Sequence, residues 1–467
     1  MNKYKKLVSD TGIMAIGTFG SKLLVFLLMP LYTALLSPAQ YGTAELITGT
    51  ANLIMPFACM GITTGIFRFA AERSSNQREV FSSGLALLGV GFGALLALGL
   101  PLCLFGQFRI ETLLVILYVL LADLQAVCSQ YVRAIDRTRL FAFQGIFNTL
   151  ITILFNLLFL IVFELGVIGY VLAVIVGNAL TTVFLVFSAR LWEVFRPSCV
   201  KKSVIRELFR FSLPMVPTTI CWLITDLSDR YFVSAICGSD VNGIYSAAYK
   251  IPTVVTLVSG IFMQAWQFSA VAQASDEKEC SDFYTKVFKG YLSLIFIGTA
   301  VLIFASRLLC GLLLDDAYEE AWRYMPTLLC AAALESVVSF LSTVYLVKKK
   351  SMHSFLTAMA GTVLNLLLNA LMIPHLGALG AAVATLLGYA LVYLIRTWDA
   401  PRLIPFRLQL PRQALSIAIL LGMAAVMTFV GRGRLLWVTV ALLAMLALNL
   451  PTLIRAVLDL LRKRRHG

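Results

Sequence analysis

Charge is what this sequence has least of. Only 13% of its 467 residues are Asp, Glu, Lys or Arg, about half the usual share of roughly 25% in a soluble domain. Histidine occurs three times, as His353, His375 and His466, so an H-E-x-x-H metal site is excluded. The chain contains neither a G-x-x-x-x-G-K-[ST] loop nor a G-x-S-x-G elbow, which removes P-loop ATP hydrolysis and that form of serine chemistry. The nine cysteines include no C-x-x-C pair and lie mostly in apolar runs. They read as free thiols behaving as small apolar residues. A large external loop with clustered acids, His or Arg, as a membrane-embedded glycosyltransferase would carry, is also missing. These absences leave no recognisable enzyme machinery and imply no metal site.

Long apolar stretches are abundant. Hydrophobic residues make up 60% of the chain and its mean hydropathy is +0.88. Runs of about 20 residues, the length that crosses a hydrocarbon core, recur from end to end. We read fourteen spans, at about 9–36, 43–67, 80–105, 112–132, 140–163, 166–189, 209–236, 243–271, 288–314, 326–347, 353–374, 377–395, 413–431 and 435–454. The fold class expected is therefore all-α integral membrane. With the N-terminus in the cytoplasm, thirty of the 38 Lys and Arg fall on the inner side and five on the outer. This obeys the positive-inside rule at every loop pair. The net charge of +14 is then topological, and no nucleic-acid partner is expected. The basic tail, 455–467, reads either as an interfacial helix against anionic lipid or as a stop-transfer anchor.

The two halves repeat. Leu165-Gly166-Val-Ile-Gly169 leading to Gly177 matches Leu376-Gly377-Ala-Leu-Gly380 leading to Gly388, all three glycines at one offset. The loop Leu36 to Gly42 matches Cys237 to Gly243. Asparagines also recur, Asn148 and Asn156 against Asn365 and Asn369. We expect an N-terminal six-span lobe over 1–195, a connection over 196–208 and a second lobe over 209–398. Two added spans over 399–454 and the tail complete the chain. Lobes of six spans both begin inside, so the repeat is parallel and a substrate cavity between lobes is expected.

Charges within spans usually face a bundle interior or an aqueous cavity, because an ionised group at mid-bilayer costs about 2.5–3.5 kcal/mol on insertion scales. The cations in question are Lys22, Arg230 and Lys250, with Arg68 at the inner end of span two either extending an anion-attracting cavity or simply topogenic. Asp226, Asp229 and Glu335 are candidates for ion coupling. Asp226 and Arg230, four residues apart, share a helical face and are placed to pair. Tyr245, Gln264 and Trp266 are candidates for lining a glycan site. Pro56, Pro214, Pro217, Pro252 and Pro326 interrupt or start spans, where they can serve as hinges.

The segment Ser228-Asp-Arg230-Tyr through Gly243-Ile-Tyr245-Ser-Ala-Ala-Tyr-Lys250 resembles the polysaccharide transporter family of the multidrug/oligosaccharidyl-lipid/polysaccharide exporter superfamily. Gly20-Ser-Lys22 and Leu36-Ser-Pro-Ala-Gln-Tyr-Gly42 are similar to the same family's N-terminal pattern. The resemblance implies a V-shaped, two-lobed transporter in a bacterial cytoplasmic membrane that flips undecaprenyl-diphosphate-linked oligosaccharide. Lys22, Arg230 and Lys250 would neutralise the diphosphate, and Na+ or H+ would couple. Membrane lipid, a glycan polymerase and a glycosyltransferase are the partners expected. First-lobe arginines of the lipid II flippase type are missing apart from Arg68. A multidrug exporter and a non-transporting envelope assembly factor are the alternatives, the first requiring acids to dominate the cavity.

Overall fold

The computed structural model describes residues 26–71, 76–106, 109–213, 216–272, 277–348 and 350–465. Among these the secondary structure is entirely helical. The first unit holds α1 (Met29–Leu35), α2 (Pro38–Ala58), α3 (Ile62–Ala71), α4 (Gln77–Phe105), α5 (Arg109–Ala134), α6 (Thr138–Leu157), α7 (Gly166–Ala189), α8 (Leu191–Val194) and α9 (Lys202–Ser212). Next, α10 (Val216–Cys237) crosses from this unit, residues 1–227, into the second, residues 228–467. The second unit continues with α11 (Ser239–Lys250), α12 (Thr253–Ala272), α13 (Glu277–Leu313), α14 (Met325–Val347), α15 (Ser351–Leu376), α16 (Ala378–Leu403), α17 (Leu410–Phe429) and α18 (Arg434–Arg465).

Ten of the described helices are long and apolar enough to cross a membrane, and up to thirteen spans result if each of three bent helix pairs counts as one. The first expected span, 9–36, lies largely outside the described residues. Apolar runs marked most helix positions closely, because a lipid-facing backbone must satisfy its own polar groups and does so as helix. What the runs concealed is the breaks. The span expected at 43–67 is α2 and α3, bent by 52°. Pro56 precedes the break, and Met60 and Gly61 turn the chain through positive φ. The span expected at 243–271 is α11 and α12, bent by 41° where Pro252 withholds an amide and crowds the preceding turn. Pro217 and Pro326 sit instead at helix starts, where a missing N–H costs nothing, and Pro214 lies outside the described residues.

The repeat is visible in the packing of each unit. Helices α2 and α11 begin 201 residues apart, at Pro38 and Ser239. Ser37 caps α2, its hydroxyl accepting from the Gln40 amide while the Gln40 side chain accepts from the Ser37 N–H. In the first unit a Cβ on Gly177 would lie 2.3 Å from Thr152 Oγ1 and 2.9 Å from Asn148 Oδ1. In the second, a Cβ on Gly388 would lie 3.2 Å from both Asn365 Cβ and the Gly361 carbonyl oxygen. Each matched glycine thus lets α7 approach α6, and α16 approach α15, by removing a side chain from the contact. In a bilayer such close van der Waals fit supplies what water exclusion supplies elsewhere. We expect Gly388→Val to lower the thermal midpoint of detergent-solubilised protein by several degrees. Gly89→Ala, with open space around it, should leave it unchanged.

The segment expected to connect the lobes lies within the first unit and is not a loose strand. It forms α9, whose Leu208 and Ser212 are fully buried while Lys202, Arg206, Glu207 and Arg210 are exposed. Leu208 joins the apolar cluster containing Ile62, Ile66, Val80 and Val127. The chain before it is fastened to α4, with the Arg196 and Lys201 amides donating to Ser82 and Ser83 Oγ at 3.0 Å. Lys201 Nζ adds an ion pair to Glu79 at 2.7 Å. At the other end, the basic tail continues the last span as one helix, α18 running to Arg465.

The second unit is organised around α14, where 83% of the apolar window is buried, against 17% for α18. Phe340 of α14 stacks on Trp266 with centroids 4.9 Å apart and on Tyr291 at 5.3 Å.

Candidate functional site

The most elaborate polar arrangement among the described residues centres on Asp229, which is fully buried in α10. Tyr245 Oη of α11 donates to Asp229 Oδ2 at 2.8 Å, and Thr385 Oγ1 of α16 donates to the same oxygen. On Oδ1 it receives the side-chain amides of Asn365 at 3.2 Å and Asn369 at 2.7 Å, both from α15. Ser228 adds its hydroxyl to Asn365 Oδ1 at 3.0 Å. Four helices are therefore tied through one carboxylate. The spacing explains how: Asn365 and Asn369 are four apart on one face of α15, and the Gly388 contact brings α16 close enough for Thr385 to reach. Asn369 Oδ1 is buried and has no hydrogen-bond partner.

One residue on, Arg230 leaves the interior for a half-buried position, its guanidinium 5.5 Å from the Tyr249 ring centroid. Tyr245 and Tyr249 are four residues apart on α11, with ring centroids separated by 6.2 Å. The first holds the acid and the second the base. Lys250, also half-buried, is the last residue of α11. It directly precedes the break, where Thr253 Oγ1 bonds its carbonyl oxygen. Arg230 and Tyr249 therefore lie beside the Asp229 hub, and Lys250 follows Tyr249 in the chain at the break of the span.

The remaining expected residues fare differently. Lys22 lies outside the described residues, as does the side chain of Gln264. Asp226 is half-buried one turn before Asp229 in α10, and Glu335 is half-buried in α14. Arg68 is exposed in the last turn of α3, its guanidinium 4.7 Å from the Phe211 ring centroid of the connection helix. Two expected lining residues are corrected. Trp266 is 3% exposed, donates to Thr343 Oγ1 at 3.1 Å, and packs among Tyr284, Phe283 and Phe340. It is core because its apolar rings are surrounded on every side. Tyr245 is fully buried and spends its hydroxyl on Asp229, so in this structure it orders the interior.

Asn365, Asn369 and Thr385 were legible only in part. The asparagines marked the repeat, but polar groups at i and i+4 inside an apolar run also announce an internal hydrogen-bond site. Arg396 escaped notice altogether. Counted with the inner-loop cations, it is fully buried in α16. It donates to Thr357 Oγ1 and the Val338 oxygen at 3.0 Å and to the Ser354 oxygen at 3.1 Å, with a further bond to Ser342 Oγ. Polar side chains also join helices of the first unit. Tyr170 donates to Glu45 at 3.1 Å, and Asn156 donates to Tyr32 at the same distance.

This fold is that of multi-pass membrane transporters. An inward-closed structure of the lipid II flippase MurJ superposes with a TM-score of 0.69 at 14% identity, covering 96% of this chain and 99% of that one. An inward-facing multidrug resistance MATE family transporter of the MOP superfamily gives 0.67 at 15% identity, covering 83% and 98%. An outward-facing transporter of the MATE family gives 0.62 at 13% identity, covering 88% and 96%. At such identities the likeness is one of fold. The family described as polysaccharide biosynthesis protein matches residues 7–267, and the chain belongs to it. No curated protein matches the sequence.

Proposed function

We propose that the protein is a flippase, and not an enzyme, that moves undecaprenyl-diphosphate-linked oligosaccharide from the inner to the outer leaflet of the bacterial cytoplasmic membrane. It acts by alternating access and feeds cell-surface polysaccharide synthesis, with a glycan polymerase and glycosyltransferases as partners. Its termini are cytoplasmic. The observation that supports this reading most is the pair of cations Arg230 and Lys250 beside Tyr249 in a member of the polysaccharide biosynthesis family. A guanidinium over an aromatic ring is held ready for bidentate contact with a phosphate, and the Lys250 ammonium supplies a second charge at the point where the span breaks. Lys22 completes the set in the sequence.

Coupling belongs to the Asp229 hub. The Asp229 carboxylate is ringed there by donors from Tyr245, Thr385, Asn365 and Asn369, and the buried Asn369 Oδ1, unpartnered among the described residues, is an oxygen beside it that a hard monovalent cation would meet. Na+ in that place would supply positive charge that offsets the buried carboxylate. Asp226 and Glu335, both half-buried, are the other carboxylates that could carry the coupling ion.

The test is leaflet-resolved translocation of the lipid-linked glycan in proteoliposomes. Hydrogen bonds to charged groups are worth about 1.5–3 kcal/mol, so Arg230→Gln and Lys250→Gln should each slow transfer about ten-fold or more. Normal transfer by a well-folded double variant would sink the assignment. Wild-type protein that moves no glycan under imposed ion gradients, yet confers broad drug resistance on an exporter-deficient host, would establish the exporter instead.

A further inference from the structure

A second cationic site lies away from the hub, at a shallow cleft with about 10 Å³ of internal space among α13, α17 and α18 of the second unit. Lys289, Ser293, Arg412, Gln413, Ser416 and Asn449 contribute its polar lining, and none of the lining residues is acidic. We propose that this cleft binds the phosphate of an anionic lipid headgroup from the cytoplasmic leaflet.

The half-buried Arg412 is held from one side only. Its Nη2 donates to Ser293 Oγ at 3.3 Å, the Leu448 oxygen at 2.9 Å and Asn449 Oδ1 at 3.2 Å. Those three contacts fix the plane of the guanidinium between α13 and α18. Among the described residues, Nε and Nη1 have no hydrogen-bond partner and no carboxylate pairs with the group. Lys289, also half-buried, has an ammonium without a partner among the described residues, whereas its backbone oxygen accepts from Ser293. A fixed guanidinium and a nearby ammonium, with no counter-ion among the described residues, are costly at a membrane boundary unless an anion meets them. A phosphate oxygen pair matches the free edge of a guanidinium.

The neighbourhood is already arranged for it. Asn449 donates to Ser416 Oγ at 3.2 Å, and Gln413 accepts from Tyr393 at 2.9 Å, so the walls are fixed by bonds that do not involve the cations. Beside Lys289, a Cβ on Gly290 would lie 3.1 Å from Ala456 Cβ. Helices α13 and α18 thus cross closely there, just before α18 continues into Arg462-Lys-Arg-Arg465. The cation distribution puts this end in the cytoplasm, whose leaflet carries the anionic lipids. A headgroup phosphate would meet the two cations at the mouth of the cleft and leave the acyl chains in the bilayer.

Full-length protein in neutral detergent would be titrated with dioctanoyl phosphatidylglycerol, dioctanoyl phosphatidylcholine or inorganic phosphate, following the thermal midpoint. Phosphatidylglycerol should raise it saturably, phosphatidylcholine far less, and phosphate only at much higher concentration. Arg412→Gln and Lys289→Gln should each raise the half-saturating phosphatidylglycerol concentration about ten-fold, the loss of one charge-assisted contact. Lys286→Gln, an exposed cation one turn away, should not. Lys289→Gln removes no contact within the described protein, so its result is independent of folding. Equal half-saturation in wild type and both cleft variants would overturn the site. An equal loss in Lys286→Gln would replace it with diffuse surface attraction. Protection by phosphate at the same concentration as by phosphatidylglycerol would overturn the lipid assignment in favour of free phosphate.

Discussion

Asp229→Leu is expected to abolish most recovery of folded protein from detergent extracts. The carboxylate accepts from Tyr245, Thr385, Asn365 and Asn369, and leucine accepts from none of them. Each orphaned buried donor costs about 1–3 kcal/mol. Even if half find new partners, a loss of roughly 4 kcal/mol remains, comparable to much of a domain's net stability. Asp229→Asn separates structure from coupling. Its oxygen still accepts the two amides, while the Tyr245 and Thr385 hydroxyls can turn to accept from the new NH₂. This variant should fold, shift the thermal midpoint by only a few degrees, and lose the dependence of glycan transfer on the imposed cation gradient. Asp229→Asn protein that transfers glycan with an unchanged ion dependence would remove the hub from the coupling mechanism.

The second large effect concerns Arg396. Its guanidinium reaches α14 through Val338 and Ser342 and α15 through Ser354 and Thr357, with Tyr345 beneath it, ring centroid 5.5 Å away. The acceptors are not left stranded by its removal. Ser342 Oγ also donates to the Val338 oxygen and Thr357 Oγ1 to the Ser354 oxygen, both at 3.0 Å. What matters is then volume and charge. Arg396→Ala leaves a cavity where three helices meet and should cost about 3–5 kcal/mol, in the range of large-to-small core substitutions. Arg396→Met fills most of the space without a buried charge and should cost about 1 kcal/mol. Arg396→Lys should fall between them, because it retains a charge but forfeits the planar fork that spans the acceptors. Thermal midpoints of the three variants test this order, and a lysine variant more stable than the methionine variant would contradict it.

Much of the architecture could be read from hydropathy because the bilayer leaves little choice. The expected span 166–189 is α7 to the residue, and 326–347 differs from α14 by one. Three features resisted for physical reasons. A break such as Met60-Gly61 does not interrupt an apolar run, so a window sees one span where the backbone makes two helices. Arg396 lies past the point where the run fades, and sequence alone does not distinguish a helix that continues inside protein from a loop that leaves the membrane. The charged tail likewise continues as helix in α18, since lysine and arginine are good helix formers.

Within the site, Arg230 and Lys250 stood out because a lone cation in an apolar run is conspicuous. The shell of Asp229 did not, because its partners come from segments as far apart as Tyr245 and Thr385 and are individually unremarkable. Trp266 misled in the opposite direction, since an indole is equally at home against a sugar ring and against Phe340.

The paired glycine contacts carry a historical consequence. Gly177 and Gly388 do the same work in two units whose polar contents differ, Glu45 with Tyr170 in one and Asp229 with its four donors in the other. If the halves arose by duplication, the glycines mark positions where neither copy could diverge without separating its helices. The polar positions mark where each was free to specialise. Packing kept in both units would then accompany chemistry that differs, with the four-donor carboxylate found, among the described residues, in the second.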